Sequence, residues 1–351
     1  MLRPVPATPH AAARLGHAGY SPERLTPLVL GNWHATNTDV LEDYLAALGD
    51  NGCTPILIET QPTTADTMCA VLSGIHDYME LHDGIPPTTI TAIGGDRTYA
   101  DLLAAMHDAR LAAYQQPIGG LSPACHALAL AVAAPVPGGN GNDGARFSYG
   151  KHMGARPPMP WEWPSLRMRY PMLLSIMRPD SIVERYVVAN YFGVGASAEL
   201  ISYIGQNRAL WRSLTHAQRT RRELRLSLGY LASTRIEVTR PGIGSMSLAS
   251  LDIACTNPMA KRIATESSAN QKESVQEIET GARGSVAAVL MAGRLAVGMR
   301  ARGNLVTNGS FIVGAEGAAL YIDGDAMDRA TPGTEFRYTR SEIAVPVRSL
   351  I

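Results

Sequence analysis

Two glycine-rich turns hold the residues best suited to chemistry. The first, Gly94-Gly95-Asp96-Arg97-Thr98, follows the β-branched run Thr89-Ile-Thr-Ala-Ile93 and precedes an amphipathic segment. At the carboxyl end of a parallel strand such a turn leaves backbone N–H groups unpaired, and open α/β sheets bind ligands there. Paired glycines let the main chain approach a phosphate, and Asp96 is suited to organising a magnesium ion through water. Taken alone, the segment also reads as an ordinary βα turn. The second turn, Pro137-Gly-Gly-Asn-Gly-Asn-Asp-Gly-Ala-Arg146, follows the apolar run Ala127 to Ala134. Gly139, Gly141 and Gly144 match G-x-G-x-x-G, yet the residues after Gly144 do not read as the amphipathic helix of a dinucleotide fold. A Walker loop fails as well. The spacing from Gly144 to Gly150-Lys151 is one residue too long, and His152 stands where Ser or Thr is needed. Only three lysines exist, Lys151, Lys261 and Lys272. Without a loop lysine, phosphate must be held by backbone N–H groups, arginine or metal.

Other chemistries lack their residues. Cys53, Cys69, Cys125 and Cys255 show neither C-x-x-C nor zinc spacing and read as reduced, buried thiols. None of the nine histidines forms H-E-x-x-H, and His107 and His126 read as structural or surface residues. No G-x-S-x-G elbow is present. Arg208, Arg212, Arg219, Arg221, Arg222 and Arg225 make a basic stretch interleaved with Trp211 and Leu214. That stretch fits a solvated helix face or contact with an anionic membrane surface, and both readings stay open.

The turns need a sheet to hold them, and the N-terminal pattern supplies one. Pro27 to Asn32, Pro55 to Ile58 and Thr89 to Ile93 read as short strands. Between them, Val40, Leu41, Tyr44, Leu45 and Leu48 fall on one helical face. Met68, Cys69, Leu72 and Ile75 do so within a helix over Ala65 to Tyr78, and Leu102, Leu103, Met106 and Ala109 within one over Tyr99 to Arg110. Strands alternating with amphipathic helices predict a parallel sheet covered on both faces. After residue 147 the pattern changes. Pro157, Pro158, Pro160 and Pro164 cluster around Trp161 and Trp163, and beyond them strands such as Tyr186 to Tyr191, Thr234 to Val238 and Leu248 to Cys255 dominate. Ser310 to Val313, Ala319 to Ile322 and Ser341 to Val347 continue the strand pattern, with a helix expected over Ser285 to Met299.

A length of 351 residues points to two domains. The 46% apolar content excludes global disorder, and 31 basic against 31 acidic side chains exclude a strongly basic nucleic-acid binder. No apolar stretch reaches the roughly 20 residues a spanning helix needs, and the N-terminus has no signal-peptide core. The expected location is cytoplasmic, at most peripheral to the inner face of the membrane. A homodimer is open.

The two turns, in this order, resemble the GGDGT and P-x-GTGNDFAR motifs of the diacylglycerol kinase catalytic-domain family, which includes bacterial lipid kinases and sphingosine kinases. Leu28-Val-Leu-Gly-Asn32-Trp-His-Ala35 resembles the family's first strand and its N-P-x-(A/S)-G turn. Thr63-Thr64-Ala65-Asp66 sits where its second helix starts. Asn190-Tyr-Phe-Gly-Val-Gly195-Ala-Ser-Ala198 is similar to the N-x-x-x-x-GFDA segment, and Ala254-Cys-Thr-Asn257 to a strand ending in V-A-N. Tyr321-Ile-Asp323-Gly324-Asp325, followed by Ile343 to Val347, looks like the D-G-E turn and closing strand.

The resemblance implies an α/β N-terminal domain with a parallel sheet, like that of NAD kinases and phosphofructokinases, and a mainly β C-terminal sandwich. The expected layout is a leader over 1–24, a nucleotide domain over 25–147 and a substrate domain over 148–334. A closing segment over 335–351 would return to the first domain. The implied activity is ATP-dependent phosphorylation of a lipid hydroxyl such as that of diacylglycerol, with ATP in a cleft between domains. Asn32, Gly94, Gly95, Asp96, Arg97, Thr98, Gly139, Asn140, Gly141, Asn142 and Asp143 would bind the nucleotide. Mg2+ would be held by Asp96, Asp143 and Asp180, and Asp96 would also act in catalysis. Glu273, in Ala269-Asn-Gln-Lys-Glu273-Ser274, stands near the family's general-base aspartate.

Several positions depart from the motifs. Arg97 replaces a glycine, Asn140 a threonine, Gly144 a phenylalanine and Ser197 an aspartate. A positive φ at Arg97 would cost about 1 kcal/mol; alternatively its guanidinium reaches a phosphate. The departures leave room for a catalytically silent nucleotide- or lipid-binding homologue. An NAD kinase-like or nicotinamide-dependent enzyme on the same scaffold is the third reading.

Overall fold

The computed structural model describes residues 26–32, 38–116, 120–138, 148–149, 157–180, 182–255, 275–281 and 304–350. The expected leader, most of the second glycine-rich turn (Gly139, Asn140, Gly141, Asn142 and Asp143), Asn257, Glu273 and the helix over 285–299 lie outside the described residues.

The first part of the chain forms β1 (Leu28–Gly31), α1 (Thr38–Asp50), β2 (Ile56–Glu59), α2 (Thr64–Leu81), β3 (Thr89–Gly94), α3 (Asp96–Gln115), α4 (Pro123–Leu130), β4 (Val132–Pro137) and β5 (Ser165–Arg169). Then come β6 (Met172–Met177), β7 (Val183–Val188), β8 (Tyr191–Gly195), α5 (Ala196–Gln206), α6 (Arg208–Ser213), α7 (His216–Ser233), β9 (Ile236–Arg240) and β10 (Gly244–Ala254). The remainder is β11 (Val275–Gly281), β12 (Asn304–Val306), β13 (Asn308–Val313), β14 (Ala318–Ile322), β15 (Asp325–Ala330), β16 (Glu335–Arg340) and β17 (Val345–Ser349).

Two compact units result. One runs to Arg169 and resumes at Ile343; the other is Tyr170–Glu342. In the first, six strands take the order β2-β1-β3-β4-β17-β5, parallel except at β5. Leu28, Val29, Leu30, Ile90 and Ile93 are buried without alternation, as a sheet covered by helices on both faces requires. The apolar run from Ala127 is divided between a helix and a strand. Ser122 caps α4 by accepting from the Cys125 N–H, Pro123 opens it, and Ala131 turns the chain into β4. The division between units falls after Arg169 instead of near residue 147. The cause is β5, which pairs with β17 in the first sheet, Arg169 opposite Val345. Within the segment expected to close the chain, β16 belongs to the second sheet, and the return to the first unit begins at Ile343.

The second unit is mainly β, with α5 to α7 inserted between β8 and β9. The expected strand over Tyr186 to Tyr191 is split in two, β7 and β8 meeting at a bend over Ala189-Asn190 without pairing with each other. Its strands form one antiparallel sheet of eleven, β15-β14-β8-β10-β9-β13-β16-β6-β7, with β11 on β10 and β12 on β11. In a flat sheet β8 and β16 would stand four strand spacings apart, about 19 Å. Instead Phe192 of β8 stacks on Phe336 of β16 at 6.1 Å between ring centroids, and on Phe311 of β13 at 6.3 Å. The sheet therefore curls until its two halves face each other, giving sandwich-like packing from a single sheet. All three rings are fully buried. Phe311→Ala should cost about 3–5 kcal/mol of stability, read as a lowered urea midpoint.

Candidate functional site

Parallel register brings the first glycine-rich turn and the opening residues of the second, Pro137 and Gly138, to the same end of the sheet. Leu30 lies opposite Ala92 and Gly31 opposite Ile93, so Asn32 follows β1 at the edge where Gly94 ends β3. Gly94 in turn lies opposite Pro137, the last residue of β4. The pairing continues one residue further, with the Gly138 N–H donating to the Gly94 carbonyl at 2.8 Å. A Cβ on Gly138 would lie 3.2 Å from both Gly94 N and Cα, and one on Gly94 would overlap Thr98 Oγ1. Bare backbone at both positions is what lets these strand ends lie flush.

α3 begins immediately after Gly94. Its N-cap, Gly95, provides no side-chain acceptor, so the first-turn N–H groups are not capped from within. Asp96 is the first helical residue and is nearly buried, where the positive helix end favours a carboxylate. Thr98 is buried too, and its Oγ1 has no hydrogen-bond partner among the described residues. A buried hydroxyl without a partner among the described residues, in the first turn of a helix whose N-cap is a glycine, is complementary to an anion.

Arg97 differs from both expectations. It sits in ordinary helical backbone, so no left-handed strain arises. Its Nε donates to both Asp101 oxygens, at 2.9 and 2.8 Å, and its Nη2 to the Pro62 carbonyl at 3.4 Å. The Thr64 hydroxyl donates to the same Asp101 carboxylate at 2.7 Å. This ties the start of α2 to the first turn of α3, so Arg97 serves to fix two helix ends.

The residues at this edge fit a phosphate chain held mainly by backbone. For a metal they offer one carboxylate, Asp96; among the described residues no three His, Cys, Asp or Glu side chains gather. That suits an ion held largely through water. Asp180 belongs to the other unit, exposed in the turn before β7, where it accepts from the Ile182 N–H at 3.4 Å. Asp323 is structural: its carboxylate accepts from the N–H groups of Ala189, Asn190 and Tyr191 at 2.8, 2.7 and 3.2 Å and closes the β7–β8 corner.

A carboxylate that sequence reasoning passed over lies in the second unit. Where the family motif has an aspartate, Ser197 sits in the first turn of α5, and its hydroxyl donates to Asp252 Oδ1 of β10 at 2.6 Å. Ser250 donates to Oδ2 at 2.9 Å and Tyr321 of β14 to Oδ1 at 2.8 Å. Gly193 lies between them in β8, opposite Asp252 on one side and Tyr321 on the other. A Cβ there would overlap Asp252 Oδ1, so glycine opens the path across the strand. The signal in the sequence was one acidic residue inside the apolar strand Leu248 to Cys255.

Burial pushes the Asp252 carboxyl above its ordinary range despite the three hydroxyls that favour its ionised form. A carboxyl whose folded pKa is raised contributes fully below its unfolded pKa of about 4 and progressively less as pH rises toward the folded value. Stability should therefore fall by at most about 1.4 kcal/mol per pH unit above pH 4 from this group. Asp252→Asn should flatten that slope in denaturant titrations at a series of pH values.

The sequence matches no protein-family model and no curated protein. Among solved structures it is similar to "a putative diacylglycerol kinase" from Bacillus anthracis str. Sterne, at 11% identity, over 93% of this chain and 97% of that one, with a TM-score of 0.51. A second structure of the same description aligns at 11% identity over the same shares, with a TM-score of 0.48. Yeast NADH kinase complexed with NADH aligns at 9% identity over 92% of this chain and 84% of that one, with a TM-score of 0.42. Only the first is near enough to argue from, and the likeness is one of fold. The chain folds as that Bacillus anthracis protein does, with a mostly parallel α/β unit and an antiparallel, curled β unit.

Proposed function

We infer that this chain is an ATP-dependent phosphotransferase acting on a lipid hydroxyl, diacylglycerol being the simplest acceptor. The observation that supports it most is the close approach of Gly94 and Gly138, hydrogen-bonded to each other beside the N-terminus of α3 and its buried Thr98 hydroxyl. Backbone N–H groups of Asp96, Arg97 and Thr98, with the Thr98 hydroxyl, bind phosphate oxygens there. Gly139, Asn140, Gly141 and Asn142 complete the nucleotide site, with Asn32 at the neighbouring strand end. Phosphoryl transfer depends mainly on positioning and charge neutralisation, so this set works without a loop lysine. Magnesium, when bound, would supply part of that neutralisation, and Asp96 and Asp143 would hold it. The acceptor oxygen forms a bond to the γ-phosphorus, the bond to the ADP oxygen breaks, and Glu273 takes the hydroxyl proton.

A second reading, nucleotide binding without transfer, draws on Arg97 and Ser197. The first is committed to Asp101 and the second stands where an aspartate is expected. Transfer of label from radiolabelled ATP into diacylglycerol-containing vesicles distinguishes the two. Asp96→Ala should lower the rate by about 10- to 100-fold. Equal labelling by wild type and variant removes Asp96 from the mechanism, and ATP binding with no turnover on any lipid favours the second reading.

A further inference from the structure

α7 covers little of its own surface. Among its described side chains none is fully buried, although the helix carries Leu224, Leu226, Leu228, Tyr230 and Leu231. Gln218, Arg221, Arg222, Arg225, Leu226, Gly229, Tyr230 and Ser233 recur at three- and one-residue steps, the repeat of one helical face. With Leu214 they line a groove of about 750 Å³, with no acidic side chain among its lining residues. Glu223, two residues from Arg221 and from Arg225, points about 160° away from both around the helix.

The arginines of the groove are not equivalent. Arg222 is held in place, its Nη2 donating to Tyr203 OH at 2.8 Å and its guanidinium 6.0 Å from the Tyr203 and Trp211 ring centroids. Arg221 and Arg225 are exposed, one turn apart, and make no ion pair or hydrogen bond among the described residues. Leu224 projects beside them at 40% exposure, and Leu210 of α6 is 38% exposed. A site for a free phosphate would enclose its donors; here Arg221 and Arg225 are solvated and flank the exposed Leu224 in sequence. That arrangement matches a helix lying in a headgroup layer, guanidinium groups on phosphates and leucines toward the acyl chains.

We propose that α7 docks the second unit onto an anionic bilayer surface, with Arg221 and Arg225 contacting lipid phosphates. The docking is independent of the transfer reaction, because it needs neither nucleotide nor acceptor. It is tested by co-sedimentation of the full chain with vesicles of phosphatidylcholine alone or mixed equally with phosphatidylglycerol, without diacylglycerol or ATP. The expected result is binding to the mixed vesicles only, weakening as salt rises. At the contribution typical of an arginine near a charged surface, Arg221→Gln combined with Arg225→Gln should weaken binding about 30-fold. Both side chains are exposed, so an unchanged melting curve certifies the variant's fold. Failure of the wild type to bind, or equal binding by the double variant, overturns the proposal. So does release of bound protein by millimolar inorganic phosphate, which would mark a free-anion site. Binding of a single-stranded oligonucleotide as tightly as the vesicles, lost in the same variant, would overturn it in favour of a nucleic-acid surface.

Discussion

One hydrogen bond organises the candidate site: the Gly138 N–H to the Gly94 carbonyl. It extends the β3–β4 ladder one step past the strands, at the point where the chain must turn away from the sheet. The two turns are far apart in sequence, and only parallel pairing brings their first residues into contact. Because neither has a side chain, the main chains lie close enough for α3 to start directly beside them, its N-cap a glycine. The Arg97–Asp101–Thr64 network serves the same end from behind, holding the start of α2 against that of α3.

Much of the first unit was legible because its signals are local. β1 to β3 and α1 to α3 come from short apolar runs and single-face periodicity, and their observed bounds differ from expectation mainly at the ends. Helix starts moved outward, since Thr63 and Gly95 serve as caps lying before the first apolar position. The apolar run before the second turn names no element by its pattern, for a physical reason. Ala and Leu suit a buried helix and a buried strand equally, and only Ser122-Pro123 marks where α4 begins. Neither reading of Arg97, a strained backbone or a guanidinium on phosphate, included Asp101, its partner one helical turn further on.

The second unit was less legible because its defining contacts are not local. Alternation identified β9, β10, β13 and β14, yet nothing local says that one sheet will curl until Phe192 meets Phe311 and Phe336. Nor does pattern explain Asp252. An aspartate in a buried strand becomes tolerable only because hydroxyls arrive from α5, from β10 itself and from β14, the last across a glycine. Three separate stretches of chain must be in place before that residue makes chemical sense.

The position of β17 has a consequence for how the protein is made. It lies between β4 and β5, and nearly the whole second unit is translated before it emerges. Throughout elongation the outer edge of β4 is an unsatisfied row of peptide groups, a template open to any passing strand. The first sheet cannot be finished until β17 appears, whereas the second unit has all its described strands beforehand. Biogenesis thus runs against chain order, and the half-built nucleotide-type sheet is the species most exposed to misassembly and to chaperone dependence.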